Sequence, residues 1–294
     1  MTRLSEIQGH ITSMDELLEI VGAMRSLAGM RVQEVQHALP GIRNYSDSMA
    51  AAIGRALLLV PQPLRQVRHE DGCRALILYM AEHGFVGGFN EKLLEALERT
   101  LRPTDLLFVL GTRGAALALE RGRKAAWARP MASRLAGAPD VVNELMNALY
   151  MRMADGEIAC VEILFSPYRQ GAASTIKQQR LLPFGMTKLA AKPSEEVPLH
   201  NLPPRPLLEK LMAEYVFALL TEAAVESIAS ENAARFAAME SAHDNVSKKL
   251  AGLQENARAA RQTEITAELL DLMTGVEAMK SPQKNSSRKR GAIK

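Results

Sequence analysis

The feature that most constrains the fold is a stretch of 74 residues, 207–280, that contains no proline. Apolar residues recur along it at alternating spacings of three and four, as in Ile265, Leu269, Leu272 and Val276. This spacing is the heptad pattern of a coiled coil. At ~1.5 Å per residue, one uninterrupted helix would be on the order of 110 Å long, far beyond the usual globular helix. The sequence therefore predicts a C-terminal coiled-coil helix over 207–280.

A second heptad pattern opens the chain. Leu4, Ile7, Ile11 and Met14 begin a series that runs to residue 39, and another apolar series follows up to residue 60. Pro40 and the glycine after it should kink or break this helix. We therefore expect an N-terminal coiled-coil helix within 1–60 that pairs antiparallel with part of the longer C-terminal helix.

The middle of the chain, 73–185, has a different pattern. Short apolar runs at 74–80, 105–110 and 157–165, and a fourth run at 173–184, alternate with helical patterns at 91–101, 115–121 and 141–153. Strands that alternate with helices of about ten residues indicate a layered α/β domain, here called Rossmann-like. No helix separates the last two runs, so they predict an antiparallel hairpin at one edge of the sheet.

The five prolines within 186–206 predict a linker. The fold class expected is thus α/β plus long helices, with the layered domain inserted between them.

The charges are unevenly distributed. The chain has 36 Lys and Arg against 33 Asp and Glu, yet residues 280–294 hold six bases and no acid. We expect 281–294 to be a basic, disordered tail on a mildly acidic body, and nucleic acid is not an expected partner of the chain. No run of 18 apolar residues exists, which argues against a transmembrane segment, and the N-terminus lacks the apolar core of a signal peptide.

No catalytic or cofactor motif stands out. Cys73 and Cys160 lie in apolar runs, and the six histidines form no pair with metal-ligand spacing. The glycine-rich stretch 84–90, GFVGGFN, lies between a strand and a helix but lacks the Lys-Ser/Thr of a P-loop. His83 beside it is the only histidine with a catalytic setting. We expect no catalytic, metal or cofactor site, although an α/β enzyme with a helical dimerisation arm and a stand-alone coiled-coil scaffold remain alternatives.

Two blocks near the C-terminus carry a resemblance to a known family. The first contains Ser230, Glu231, Ala233, Ala234, Arg235, Ala238, Met239, Ala242 and Asn245. The second contains Ala260, Arg261, Gln262, Ile265, Thr266, Glu268, Leu269, Gly275 and Ala278. In this order, and with GGFN at 87–90, they resemble the γ subunit of F-type ATP synthases over about residues 3–279. The segments EHGF at 82–85 and PLHNLPP at 198–204 depart from the family pattern and suggest a divergent branch, such as an alternate F-type ATPase.

The resemblance implies a rotor shaft without catalytic residues of its own. It would couple proton or sodium flow through the membrane sector to ATP synthesis or hydrolysis by rotating inside a ring of α and β subunits. Rotor–stator contacts would then fall to Met24, Arg235, Arg261, Gln262, Thr266, Glu268 and Asp271. Contact with the c-ring and the ε subunit would fall to His200, Asn201 and Leu202. The implied location is the cytoplasmic face of the bacterial inner membrane.

Overall fold

The computed structural model describes residues 2–60, 73–171, 175–183 and 199–280. The predicted tail 281–294 and residues 186–198 of the predicted linker lie outside these ranges. Five α-helices are described: α1 (Thr2–Ala56), α2 (Phe89–Thr100), α3 (Thr112–Glu120), α4 (Ala138–Ala154) and α5 (Pro204–Lys280). Short 3₁₀ helices lie at Leu57–Leu59 and Leu135–Gly137. Five strands are described: β1 (Cys73–Tyr79), β2 (Leu106–Leu110), β3 (Trp127–Arg129), β4 (Ile158–Phe165) and β5 (Lys177–Leu182).

The strands form one sheet in the order β3-β2-β1-β4-β5. The first four are parallel, and β5 is antiparallel to β4, with Ile163 paired to Gln179. The predicted class, two long terminal helices with a central α/β sheet, is confirmed, and so is the antiparallel hairpin at one edge. Strand β3 was not expected, because its three residues are too short to give a pattern.

Of the kink or break predicted at Pro40, the break is wrong. Helix α1 continues through Pro40 and ends only at Ala56. A proline inside a helix removes one N–H donor and clashes with the preceding turn. Here Val35 and Leu39, one turn earlier, are buried in the main core, and Ile53 is fully buried further on. The packing of α1 on both sides of Pro40 therefore outweighs the local cost.

The chain divides into two compact units. One, the helical unit, comprises Met1–Gly22 and Ser241–Lys294, and the other, the α/β unit, comprises Ala23–Glu240. In the α/β unit, one face of the sheet packs on α4, α1 and α5, and the opposite face packs on α2 and α3. Helices α1 and α5 run antiparallel there, since Arg25 contacts Glu240 while Ser46, further along α1, contacts Glu222, nearer the start of α5. In the helical unit, the start of α1 and the later part of α5 line one open cavity of about 850 Å³.

Candidate functional site

The sheet has one crevice where open α/β folds usually bind ligands. From β1 the chain proceeds outward to β2 and β3, and then returns to place β4 on the other side of β1. Ligands of such sheets bind outside the carboxyl ends of the two strands at this switch point. In this chain, the segment that starts at Glu82 follows β1, and Ser166 follows β4.

Helix α5 crosses the crevice and contacts the ends of both strands. The buried hydroxyl of Ser230 donates a hydrogen bond of 2.8 Å to the carbonyl oxygen of Ser166. A carboxylate oxygen of Glu231 accepts a hydrogen bond of 3.3 Å from the backbone N–H of Glu82. The crevice of the sheet is therefore filled by side chains of the chain's own helix.

Arg235 is held by the same set of contacts. Its guanidinium lies 2.6 Å from a carboxylate oxygen of Glu231 and donates to Asn232 Oδ1 at 3.1 Å. It also donates to the carbonyl oxygens of Gly84 at 3.3 Å and His83 at 3.4 Å. Only 9% of Arg235 is exposed. Both charges of the pair are thus buried and hydrogen-bonded, as buried charges generally must be.

Met24 meets Arg235 across a small cavity. The cavity, of about 320 Å³, is lined by both residues and by Arg31, His83 and Phe85, among others. Phe85 has a φ of +62° and is 68% exposed, so an aromatic ring stands at the surface of the loop. Two of the predicted contact residues are therefore close together in the α/β unit.

The glycine-rich segment 84–90 has features that disfavour phosphate binding. The first turn of α2 carries an acidic residue, Glu91, which disfavours a bound anion at this helix end. The side-chain oxygen of Asn90 is already engaged by the backbone N–H of Ala81 at 2.9 Å. His83 contacts the hydroxyl of Ser133 at 3.1 Å, at the surface. Among the described residues, no group of three side chains could hold a metal ion.

The other predicted rotor–stator residues lie on the later part of α5, in the helical unit. All five, namely Arg261, Gln262, Thr266, Glu268 and Asp271, are exposed. Thr266 donates a hydrogen bond of 2.8 Å to the carbonyl of Gln262, one turn earlier. Large apolar side chains between and beyond them are also more than half exposed: Ile265, Leu269, Leu270, Leu272, Met273 and Val276. We call residues 261–277 the apolar end of α5.

The predicted c-ring contact lies in the segment that leads into α5. His200, Asn201 and Leu202 are all exposed, and His200 Nδ1 lies 2.8 Å from the carbonyl oxygen of Leu202. Pro204 then begins the helix. Nowhere in the described ranges is a helix both long and apolar enough to cross a bilayer.

Three residues of the filled crevice have no motif that would mark them in the sequence. Glu82 and Ser166 contact α5 through backbone atoms, and Asn232 falls between positions of the first motif block. The only signal was the EHGF segment at 82–85, noted as a departure from the family pattern.

Comparisons with known proteins agree with this architecture. Residues 3–279 match the family described as ATP synthase. The ATP synthase gamma chain of Chlorobaculum tepidum is 24% identical over 95% of this chain and all of its own length, and that of Streptomyces avermitilis is 28% identical over 95% and 96%. The rotor of the Euglena gracilis mitochondrial ATP synthase aligns with a TM-score of 0.61 at 14% identity, over 89% of this chain and 98% of that one. The central stalk of the Tetrahymena thermophila enzyme aligns with a TM-score of 0.55 at 16% identity, over 76% and 99%. The chain therefore belongs to the γ-chain family of the ATP synthases.

Proposed function

We propose that the chain is the central rotor shaft of a membrane-associated F-type ATP synthase. It carries no catalytic residue of its own and changes the nucleotide sites of the β subunits as it turns. Because the shaft is asymmetric, each β subunit faces a different side of it and is biased toward a different conformation. Membership of the γ-chain family over 277 of the 294 residues supports this proposal.

The single observation that carries the proposal is the apolar end of α5. Several aliphatic side chains there, from Leu269 to Val276, are between half and two thirds exposed. Large exposed apolar side chains clustered on one helical stretch mark an interaction site. A collar of α and β subunits would cover it at every rotational angle, and an apolar surface forms few ion pairs that would trap the shaft at one angle.

The polar residues of this end would set the angles at which the shaft pauses. We propose that Arg261, Gln262, Thr266, Glu268 and Asp271 contact the ring, each from an exposed position on α5. Met24 is half-buried beside the 320 Å³ cavity and would contact the ring from α1. A contact between Arg235 and the ring stays a prediction, since its hydrogen bonds lie within the chain.

The opposite end of α5 would face the membrane sector. We propose that His200, Asn201 and Leu202 contact the c-ring and the ε subunit, on the cytoplasmic face of the bacterial inner membrane. The exposure of all three residues, just before the first turn of α5, supports this placement.

The test is purification of the assembled complex from native membranes. A tag placed at Gly122, an exposed turn between α3 and β3, keeps the long helices unmodified. We expect α and β subunits to co-purify in excess over this chain, and a c-ring to be recovered in mild detergent. Recovery of a lone monomer or homodimer under the same conditions would contradict the proposal and favour a stand-alone coiled-coil scaffold.

Two matched variants then test the contact residues. Glu268→Gln removes one charge from the apolar end of α5, and Glu209→Gln removes one from an exposed glutamate near the start of the same helix. We expect the ATPase rate of the purified complex to fall about tenfold with the first, which corresponds to ~1.4 kcal/mol of activation free energy, and to stay unchanged with the second. Equal rates in both variants would remove Glu268 from the proposed contacts.

A further inference from the structure

The filled crevice assigns a role to the α/β unit that the rotor proposal does not include. We infer that the loop after β1, residues 82–85, is a carboxylate-binding site. Its permanent ligand is the side chain of Glu231 on α5, and Arg235 is the counter-ion of that carboxylate. The inference concerns contacts inside the α/β unit alone, so it stands independently of the proposed function.

The first argument is position. The hydrogen bonds of Ser230 and Glu231 fall at the carboxyl ends of β4 and β1, the two strands that flank the switch point. This is the place where an open α/β sheet binds an external ligand. Ser230 reaches the end of β4, and Glu231 reaches the end of β1, so one turn of helix spans the crevice.

The second argument is chemistry. Glu231 presents an anionic group to a backbone N–H at the carboxyl end of a strand, as the acidic group of a bound ligand would. The guanidinium of Arg235 pairs with this carboxylate and at the same time donates to the loop carbonyls of His83 and Gly84. The loop is therefore bound through both its N–H and its C=O groups, which a simple ion pair along a helix would not achieve.

The third argument is the rigid setting of the loop. The side chain of Glu82 accepts hydrogen bonds from the N–H groups of Thr112 at 2.9 Å and Met131 at 2.7 Å, which follow β2 and β3. Three strand ends are thus joined through one residue, whose own N–H is bound by Glu231. The occupant of the crevice consequently fixes α5 against the carboxyl edge of the sheet, at the place where an external ligand of such a sheet would bind.

The test uses the full-length chain and the hydrogen exchange rate of one amide. In Glu231→Ala, the N–H of Glu82 loses its acceptor, and we expect its exchange to accelerate at least roughly tenfold, as expected for loss of a hydrogen bond to a charged group. The control is Glu209→Ala, which breaks an i,i+4 Arg–Glu pair on the same helix that is exposed to solvent. We expect no change at Glu82 in this control.

Two further measurements separate a carboxylate site from a merely stabilising ion pair. Acetate should restore protection of the Glu82 amide in Glu231→Ala, while chloride at equal ionic strength should not. The exchanged pair Glu231→Arg with Arg235→Glu keeps an ion pair on the helix but reverses donor and acceptor, so it should leave Glu82 unprotected. Full protection in the exchanged pair, or no effect of acetate, overturns the inference.

Glu231→Gln keeps the test decisive if the alanine variant does not fold. The amide has nearly the same size and still offers an oxygen acceptor, but charge-assisted hydrogen bonds are roughly twice as strong as neutral ones. We expect exchange at Glu82 to accelerate less than in the alanine variant and more than in wild type. Exchange identical to wild type also overturns the inference.

Discussion

Arg74 is the residue whose loss should destabilise the sheet most clearly. It lies at the start of β1 and donates to Asp105 through Nε at 3.2 Å and Nη2 at 2.5 Å, and to Glu162 through Nη1 at 2.9 Å. The side chain of Asp105 is 1% exposed and that of Glu162 is 10% exposed. Two buried carboxylates, one just before β2 and one on β4, therefore share one guanidinium on β1.

The magnitude follows from this geometry. Arg74→Met retains the aliphatic stem but leaves both carboxylates without that charge, and breaking a buried pair in this way costs about 3–5 kcal/mol. Gln178 at 2.6 Å and Arg180 at 3.4 Å still contact Glu162, so we expect a loss of about 3 kcal/mol. The matched control is Arg99→Met, since Arg99 pairs with Glu95 at 3.7 Å in solvent. Its cost should be about 0.2–1 kcal/mol.

The assay is urea denaturation of the full-length chain, with tryptophan fluorescence as the signal that monitors unfolding. Trp127 is the only tryptophan, and its ring lies 5.8 Å from that of Phe108 in the same sheet, so its emission reports on the α/β unit. The free energy of unfolding is obtained from the midpoint and slope of the transition. If Arg74→Met shifts the midpoint no more than Arg99→Met, the reasoning from buried charge is refuted.

The pH dependence gives this prediction a second test. Burial alone would raise the pKa of Glu162, but the hydrogen bond from Gln178 and the charge of Arg74 outweigh it and hold the pKa below its usual value. A lowered pKa in the folded state contributes stability above the unfolded pKa of about 4.3, and this stability is lost as the pH falls through the folded pKa. The difference between wild type and Arg74→Met should therefore shrink on acidification. A difference that stays constant from neutral to acidic pH would contradict the assignment.

Three further predictions concern the α/β unit. Gly114→Ala places a Cβ 2.1 Å from Cβ of Met80, so overpacking should cost about 1–3 kcal/mol in the same urea assay, and an unchanged midpoint would contradict this close approach. Phe85→Gly should stabilise the unit by about 1 kcal/mol, because glycine adopts the positive φ without strain, whereas Phe85→Ala should not. The hydrogen bond to Glu214 raises the pKa of Tyr45 to about 12, so its contribution is present below the unfolded value of about 10 and is lost as the pH rises through 12. Burial also raises the pKa of Tyr79, Tyr150 and Tyr215, so ultraviolet titration should show one of several raised tyrosine pKa values return toward 10 in Glu214→Gln.

The strands of the sheet could be predicted from the sequence where nearly all of their residues are buried. Strands β1, β2 and β4 are buried on nearly all their residues, so each gives a continuous apolar run that stands out in the sequence. Strand β3 is mostly exposed, with only Trp127 half-buried, and a run of three such residues carries no periodicity. The break expected at Pro40 does not occur. The proline rule considers only the local backbone, whereas the packing of the flanking turns determines whether this helix continues.

The site was only partly predictable, because a motif locates residues along a helix but does not orient them. Arg235 was recognised as part of a block, yet its inward direction depends on how the helix is rotated in its surroundings. Arg235 is 9% exposed, while its neighbour Phe236 is 39% exposed, the reverse of what residue type suggests. The contacts with Glu231, Asn232 and the loop after β1 explain why the charged residue faces inward.

Helix α5 shows why composition alone does not separate a core helix from a shaft. All ten residues from 223 to 232 are buried, so every face of that stretch is covered, and its polar side chains fill the crevice of the sheet. From 265 to 277 the same helix is exposed on every face, although it is just as apolar. Large apolar side chains exposed in such number mark a surface that another protein covers. The first stretch is surrounded by its own chain, so the second requires other chains, and the isolated subunit should self-associate through the apolar end of α5 unless those chains are present.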